Sequence, residues 1–518
     1  MKKLLYKPYF ALLIIMSLYA CNYTPLVELP YIDLKAGFYV SSPVAREGEA
    51  VKFTQIASSV TKYYDWDFGN GKTSTEPNPT NVYTKYGRYK VKLTVRKEDK
   101  VLVSIFEQEV IVLPLTEWLP QAKTYGSLDV DEQGFCFTPI LNVGSPTPIG
   151  YMLVGRRAVN ILRLVRLDAN FNEVWTNALD VNNLTQGLIR PRSIIQTQDT
   201  SFVVVGSATY NAQDEDAFML KISNELAYPL VKEKWRKIRN TSQTDSYSSL
   251  VEYTGKILVG GSTIVKDAQG NATTKLLVET YESSGKLEKS DIYGSNWQIN
   301  AADFGTQGFA FALTEGTGGT SKPSLIFYST SFVEKRKRTL NFLEGKTTDV
   351  STVTNNAGAD AGQIMVGNYT EPFTDAQGVK KTAKHAFIAR LNDFGFLQWG
   401  TPAETDDKKV RKLEFYEEEY TKVLQMKEAG KDVFIAIGTH TNPLTGKDIV
   451  VCKYDEQGNL LKYKLIGRSG DDEAFDAKLV PVAPAQTPTE FVLFGTTQNT
   501  TDLKRRDFYL LKLNSNLE

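Results

Sequence analysis

Seven weak copies of one pattern constrain what this 518-residue chain can fold into. The clearest copy runs from Gly150 to Trp175, GYMLVGRRAVNILRLVRLDANFNEVW. It holds an apolar run ending at a glycine, a polar loop, a second apolar run, a tight turn and a stretch with a tryptophan. The first run recurs as Tyr151–Gly155, Phe202–Gly206, Ile257–Gly260, Phe309–Leu313, Ile364–Gly367, Val433–Gly438 and Phe491–Gly495. The second recurs as LRLVRLD, AFMLKIS, KLLVETY, SLIFYST, AFIARLN, IVVCKYD and FYLLKLN. Short turns follow, such as Asp393-Phe394-Gly395, and Trp175, Trp235 and Trp399 mark the next stretch in three copies. Short continuous runs of Val, Ile, Phe, Leu and Tyr predict strands buried on both faces.

A period of about 50–70 residues belongs to propellers and solenoids. An earlier strand precedes each copy, for example Ser193–Gln196 and Ser249–Tyr253, so each repeat has the four strands of an antiparallel blade. The expected fold class is all-β, with a seven-bladed β-propeller over residues 114–518. The fourth copy has Leu313-Thr314 in place of the glycine, which leaves six or eight blades open. The last copy stops at Glu518 before its fourth strand, while Thr116–Leu119 resembles Glu173–Thr176 and precedes every copy. We therefore expect an N-terminal strand, Thr116–Leu119, to pair with Phe508–Leu513 and close the ring, removing an open sheet edge. The loose pattern LDxxGxxxW resembles repeats of several bacterial propeller families, including those with quinoprotein-like blades.

The N-terminus reads as a targeting segment. Lys2, Lys3 and Lys7 precede an apolar run, Tyr9–Leu18, that is short for a bilayer span. Leu18-Tyr19-Ala20-Cys21 resembles a lipobox, although Tyr19 replaces the usual small residue. The resemblance implies a signal peptide over residues 1–20, lipidation of Cys21 (palmitate among the acyl chains) and a tether over residues 21–35 with Pro25 and Pro30. Two or three acyl chains anchor a protein stably. The expected location is the cell envelope, on the outer membrane, facing the periplasm or the surface. The other two cysteines, Cys136 and Cys452, lie in apolar strands of different repeats and read as buried thiols.

Residues 36–113 form a separate module. Tyr64-Asp65-Trp66-Asp67-Phe68-Gly69-Asn70-Gly71 carries a turn, and Gly87–Val95 alternates polar and apolar as a half-buried strand does. With Asn81-Val82-Tyr83, the block resembles a PKD domain, W-D-F-G-N-G standing for W-D-F-G-D-G. The resemblance implies an immunoglobulin-like β-sandwich with Trp66 and Tyr83 in its core, serving as spacer or interaction module. The whole arrangement is similar to Bacteroidetes-like bacterial lipoproteins with a PKD domain followed by a propeller-like repeat domain.

Chemistry is sparse. Two histidines, His385 and His440, cannot build a His-rich metal site, and neither a nucleophile elbow nor a phosphate loop occurs. No catalytic residue, metal ligand or cofactor is expected. Asp267–Asn271 and Asp375–Gly378 could ligate calcium but read better as plain turns. Glu315–Gly319 reads as a flexible tip, and the acidic run Glu414–Glu419 as a solvated loop leading into a strand. Sixty basic residues balance sixty acidic ones, which gives no footprint for nucleic acid. The loops between the glycine and the second apolar run vary widely in length, and all lie on one face of a propeller. Variable loops on a rigid scaffold are where binding concentrates. Trp297, Tyr369, Phe373 and Tyr416 are the candidate ligand-binding residues there. The expected function is a non-catalytic binding or scaffold module for glycan or envelope protein. The alternative is a propeller-type enzyme, either a polysaccharide hydrolase or lyase or a quinoprotein-like oxidoreductase.

Overall fold

The computed structural model describes residues 34–518, apart from 99–102, 127–129, 181–186, 212–213, 225–231, 242, 317–319, 332, 375–379, 414–416, 443–445, 469, 484–485 and 499–504. The signal peptide, Cys21 and most of the tether lie outside the described residues. The chain forms two compact units, one ending at Leu113 and the other starting at Pro114.

The first unit is a β-sandwich. One sheet holds Phe38–Val40, Ala50–Gln55 and Thr80–Val82; the other holds Val44–Arg46, Tyr63–Asp67, Thr73–Ser74, Gly87–Arg96 and Val103–Leu113. The period-two pattern of Gly87–Arg96 puts Val91, Leu93 and Val95 inward, fully buried. Trp66 is 1% exposed and donates its indole N–H to the Glu76 carbonyl at 2.8 Å. Buried Tyr83 donates its hydroxyl proton to the Phe68 carbonyl.

The second unit is a β-propeller of seven blades among the described residues. The innermost strands are Glu132–Leu141, Ile189–Gln196, Asp245–Tyr253, Trp297–Gly305, Glu344–Thr354, Glu418–Glu428 and Asp472–Leu479, in blades one to seven. Each is followed outward by the two apolar runs seen in the sequence and then by an edge strand. In blade five the edge strand is delayed. Trp399 stands outside any strand; Leu397 makes an isolated bridge to Leu391, and the edge strand itself is Arg411–Lys412.

An N-terminal strand does close the ring, but not the expected one. Lys123–Tyr125 pairs antiparallel with Phe508–Leu510 as the fourth strand of blade seven. Thr116–Glu117 instead runs parallel to Leu465–Ile466 at the edge of blade six. Trp118 still reaches the last blade: its ring lies 5.3 Å from Tyr509, under the Arg468 guanidinium at 3.8 Å. Two short strands around the tryptophan thus clasp two neighbouring blades, where one strand on one blade was expected.

The outer pattern of the sequence has a packing cause. The indole of Trp235 in blade two sits over Gly285 in the turn of blade three, where a Cβ would come within 2.8 Å of the ring, and its N–H donates to the Ser283 carbonyl. Trp399 and Gly458 repeat this between blades five and six, with the bond to the Glu456 carbonyl at 3.0 Å. Turn glycine and tryptophan are two halves of one joint between blades.

Candidate functional site

Every innermost strand carries a β-bulge at the same height. The unpaired residues are Phe135, Arg192, Ser248, Asn300, Thr348, Thr421 and Phe475 in blades one to seven. A bulge leaves one residue outside the ladder and re-aims its side chain. Here all seven line a central channel with a cavity of about 510 Å³.

The glycine of the sequence pattern explains the bulge. At Gly438 a Cβ would lie 1.8 Å from the Glu419 carbonyl oxygen, two residues before the bulged Thr421. The same close approach recurs at Gly155, Gly206, Gly261, Gly367 and Gly495. In the third copy the required glycine is Gly261, next to the Gly260 that ends the apolar run. Blade four keeps its bulge with Leu313 opposite Ile299, and nothing in the structure explains how it does so.

The bulged residues split into two arcs. On one arc, each polar side chain donates to the carbonyl just before the next blade's bulge. Ser248 donates to Ile299 at 3.1 Å, Thr348 to Tyr420 at 2.6 Å and Thr421 to Ala474 at 2.9 Å, and Asn300 donates likewise to Thr347. These bonds lace blades three to seven together around the channel. On the other arc stand Phe475, Phe135 and Arg192, which make no such bond. The two rings lie 5.6 Å apart, tilted by 33°.

Beneath the bulges lies a charged layer. Asp349 accepts the Val423 N–H at 3.0 Å and Asp476 the Phe137 N–H at 3.1 Å, each from the next blade. Asp303 accepts the Thr352 N–H in the same way. Lys422 sits 3.3 Å from Asp349 and 3.8 Å from Asp476. Burial opposes its charge, but the two carboxylates outweigh burial and hold the ammonium above the usual lysine range. Burial raises the Asp349 carboxyl despite Lys422. It pushes Asp303, which has no cation bonded to it among the described residues, up to about 6.

The face carrying the bulges follows from antiparallel connectivity. The bulge comes three or four residues into each innermost strand, and the loops between second and third strands open on the face where the innermost strands start. The bulge ring therefore lies towards the variable-loop face. On that face a second cavity of about 510 Å³ runs between blades three, four and five, and Gln298 and Lys346 line both cavities.

The residues singled out from sequence fare unevenly. Trp297 is not in a loop; it opens the inner strand of blade four, is half-buried, and carries Lys337 over its ring at 4.9 Å. Tyr369 is 4% exposed and stacks on His385 at 5.3 Å, because the supposed long loop continues as two paired strands. It is a core residue. Phe373 lies on that hairpin opposite Lys381, with its side chain outside the described residues, as is all of Tyr416. Glu418 of the acidic run is fully buried, 3.5 Å from His440, rather than solvated. Asp267–Asn271 is a turn: the Asp267 carboxylate accepts the N–H groups of Gln269 and Asn271 at 2.9 and 2.8 Å. Asp375–Gly378 lies outside the described residues. Among the described residues no cluster of His, Cys, Asp and Glu is placed to hold a metal ion, and Cys136 and Cys452 are buried free thiols.

A PKD-domain family model matches residues 40–110. The first unit is a PKD domain. Over 49 residues the chain is 55% identical to collagenase ColQ1 of Bacillus cereus, and over 89 residues 52% identical to the pre-pro-metalloprotease PrtV of Vibrio cholerae. These stretches are 10% and 16% of this chain, and 5% and 10% of those relatives. The crystal structure of the first PKD domain of the Vibrio metalloprotease is 37% identical, covering 16% of this chain and 98% of that one, with a TM-score of 0.14. A quinoprotein alcohol dehydrogenase-like protein of Bacteroides thetaiotaomicron is 10% identical over 83% of this chain and 96% of its own, with a TM-score of 0.33.

Proposed function

We propose that this is a lipid-anchored protein of the cell envelope whose propeller binds glycan in its central channel, without catalysis, while the PKD domain spaces the propeller from the membrane. One observation carries the reading: the bulge ring pairs two aromatic rings with four hydroxyl or amide side chains across a cavity of about 510 Å³. Sugars present an apolar C–H face and a rim of hydroxyls, and few pockets need both surfaces at once. The channel carboxylates fit a structural role, since Asp303, Asp349 and Asp476 each hold a backbone N–H of the next blade. The test is a glycan array and an envelope pull-down with residues 22–518. The reading expects glycan retention that falls at least tenfold for Phe135→Ala with Phe475→Ala; retention unchanged by that pair would refute it.

A second reading, a polysaccharide-cleaving propeller enzyme, is favoured by Asp303 alone. A carboxyl near pKa 6 in a channel suits a general acid. Chain-end release from the glycans retained on the array, abolished by Asp303→Asn, would establish it; intact glycans would exclude it.

A further inference from the structure

The three bulges outside the inter-blade lacing are consecutive in the ring: Phe475, Phe135 and Arg192. Four blade junctions spend the bulge residue on holding the next blade, whereas these three side chains are spared that duty. Phe135 and Phe475 are half-buried, and Arg192 is open to the channel. Arg192 forms no hydrogen bond or ion pair among the described residues. The nearby acid, Glu215, is taken by Arg190 at 2.9 Å and by the Ser207 hydroxyl. The other cations lining the cavity are engaged: Lys422 by Asp349 and Asp476, Lys346 by Glu419 at 4.0 Å, and Lys478 by the Ile194 carbonyl at 3.4 Å. A guanidinium with open donors beside an aromatic pair asks for an anion attached to a flat apolar face. Its planar fork matches a carboxylate through two parallel bonds.

The opposite arc narrows the class further. Ser248, Thr348 and Thr421 have each given their only hydroxyl proton to a neighbouring carbonyl. What they offer the channel is lone pairs, so the ligand must bring its own O–H donors. From these two arcs we infer that the channel selects a carboxylated sugar, a hexuronic acid residue, with its carboxylate on Arg192, its C–H face on Phe135 and Phe475, and its hydroxyls donating to Ser248, Thr348 and Thr421. The inference rests on the proposed glycan-binding role and deepens it.

The experiment is isothermal titration of residues 22–518 with oligogalacturonate and oligoglucuronate, against neutral galactose and glucose oligomers of equal length. A uronate is expected to bind at least about tenfold tighter than its neutral counterpart, a difference of ~1.4 kcal/mol. Arg192→Gln should erase that preference with the melting temperature unmoved, as suits a side chain that forms no hydrogen bond or ion pair among the described residues. Phe135→Ala should weaken both classes together. Equal affinity for charged and neutral oligomers, or a preference that survives Arg192→Gln, overturns the inference while leaving the glycan-binding reading in place. Absence of binding by every oligomer overturns the inference, and the glycan array then decides the glycan-binding reading by itself.

Discussion

At the scale of single residues, the glycine of each repeat is a steric requirement set by its neighbour. Gly438→Ala would push a methyl group against the Glu419 carbonyl at 1.8 Å, and backbone on both sides must give way. We expect a loss of about 1–3 kcal/mol or more, read as a lower denaturant midpoint for the propeller transition with the sandwich transition unchanged. That glycine was legible in the sequence because it recurs at the end of the first apolar run in five blades; in blade three the run was read to Gly260, one residue short of Gly261. The bulged residues were not, because Phe, Arg, Ser, Asn, Thr, Thr and Phe have no chemistry in common. Only strand register, placing each one position beyond the partner of the repeat glycine, would have singled them out. Trp297 and Tyr369 drew attention as aromatics near variable loops, yet Tyr369 packs on His385 and Trp297 begins a strand.

Asp303 gives a prediction with a definite sign. Burial raises its carboxyl to about 6 in the folded chain, above the ordinary aspartate value of 3.8. The folded state therefore binds the proton more readily, and this group's contribution to stability falls as pH rises from about 4 to about 6. Asp303→Asn removes the charge while keeping an oxygen for the Thr352 N–H. Compared with wild type, the variant should gain on the order of 1–3 kcal/mol at pH 7 and lose nothing at pH 4. Urea titrations at the two pH values measure the difference; equal effects at both would contradict the assignment.

Elements are joined here by two kinds of seam. The inner seam is the lacing of bulge side chains onto the next blade, and the outer seam is a tryptophan seated on a turn glycine. Thr421→Val removes one inner bond, the 2.9 Å contact to Ala474, and leaves that carbonyl short of a partner. The expected cost is about 1–2 kcal/mol by denaturant unfolding; a neutral result would show that the lacing holds nothing. The outer seam was partly visible in the sequence as the turn-plus-tryptophan pattern. Its purpose was not, because the partners Trp235 and Gly285 belong to different repeats. The closing strand shows the same limit. The chain's surplus N-terminal strand and missing C-terminal one were readable, but similarity to Glu173–Thr176 pointed to Thr116–Leu119. Pairing geometry chose Lys123–Tyr125. Deleting residues 114–125 should strip blade seven of its edge and Trp118 of its seat on Tyr509. The melting temperature of the propeller should fall and aggregation should appear, whereas deleting the sandwich alone should leave it unchanged.

For the whole molecule, two proposals meet: a lipid anchor at Cys21 and a binding channel in the propeller. Cys21→Ala should move the protein from the membrane fraction to the soluble fraction; retention in the membrane would remove the lipid anchor from the account. The channel claim is the central one, and a crystal structure tests it most directly. Residues 22–518 would be crystallised with the oligosaccharide that the array retains best. The account predicts a sugar ring resting on Phe135 and Phe475, with its hydroxyls facing Ser248, Thr348 and Thr421. A sugar seated on the sandwich or on the outer strands, with the channel empty, would contradict it.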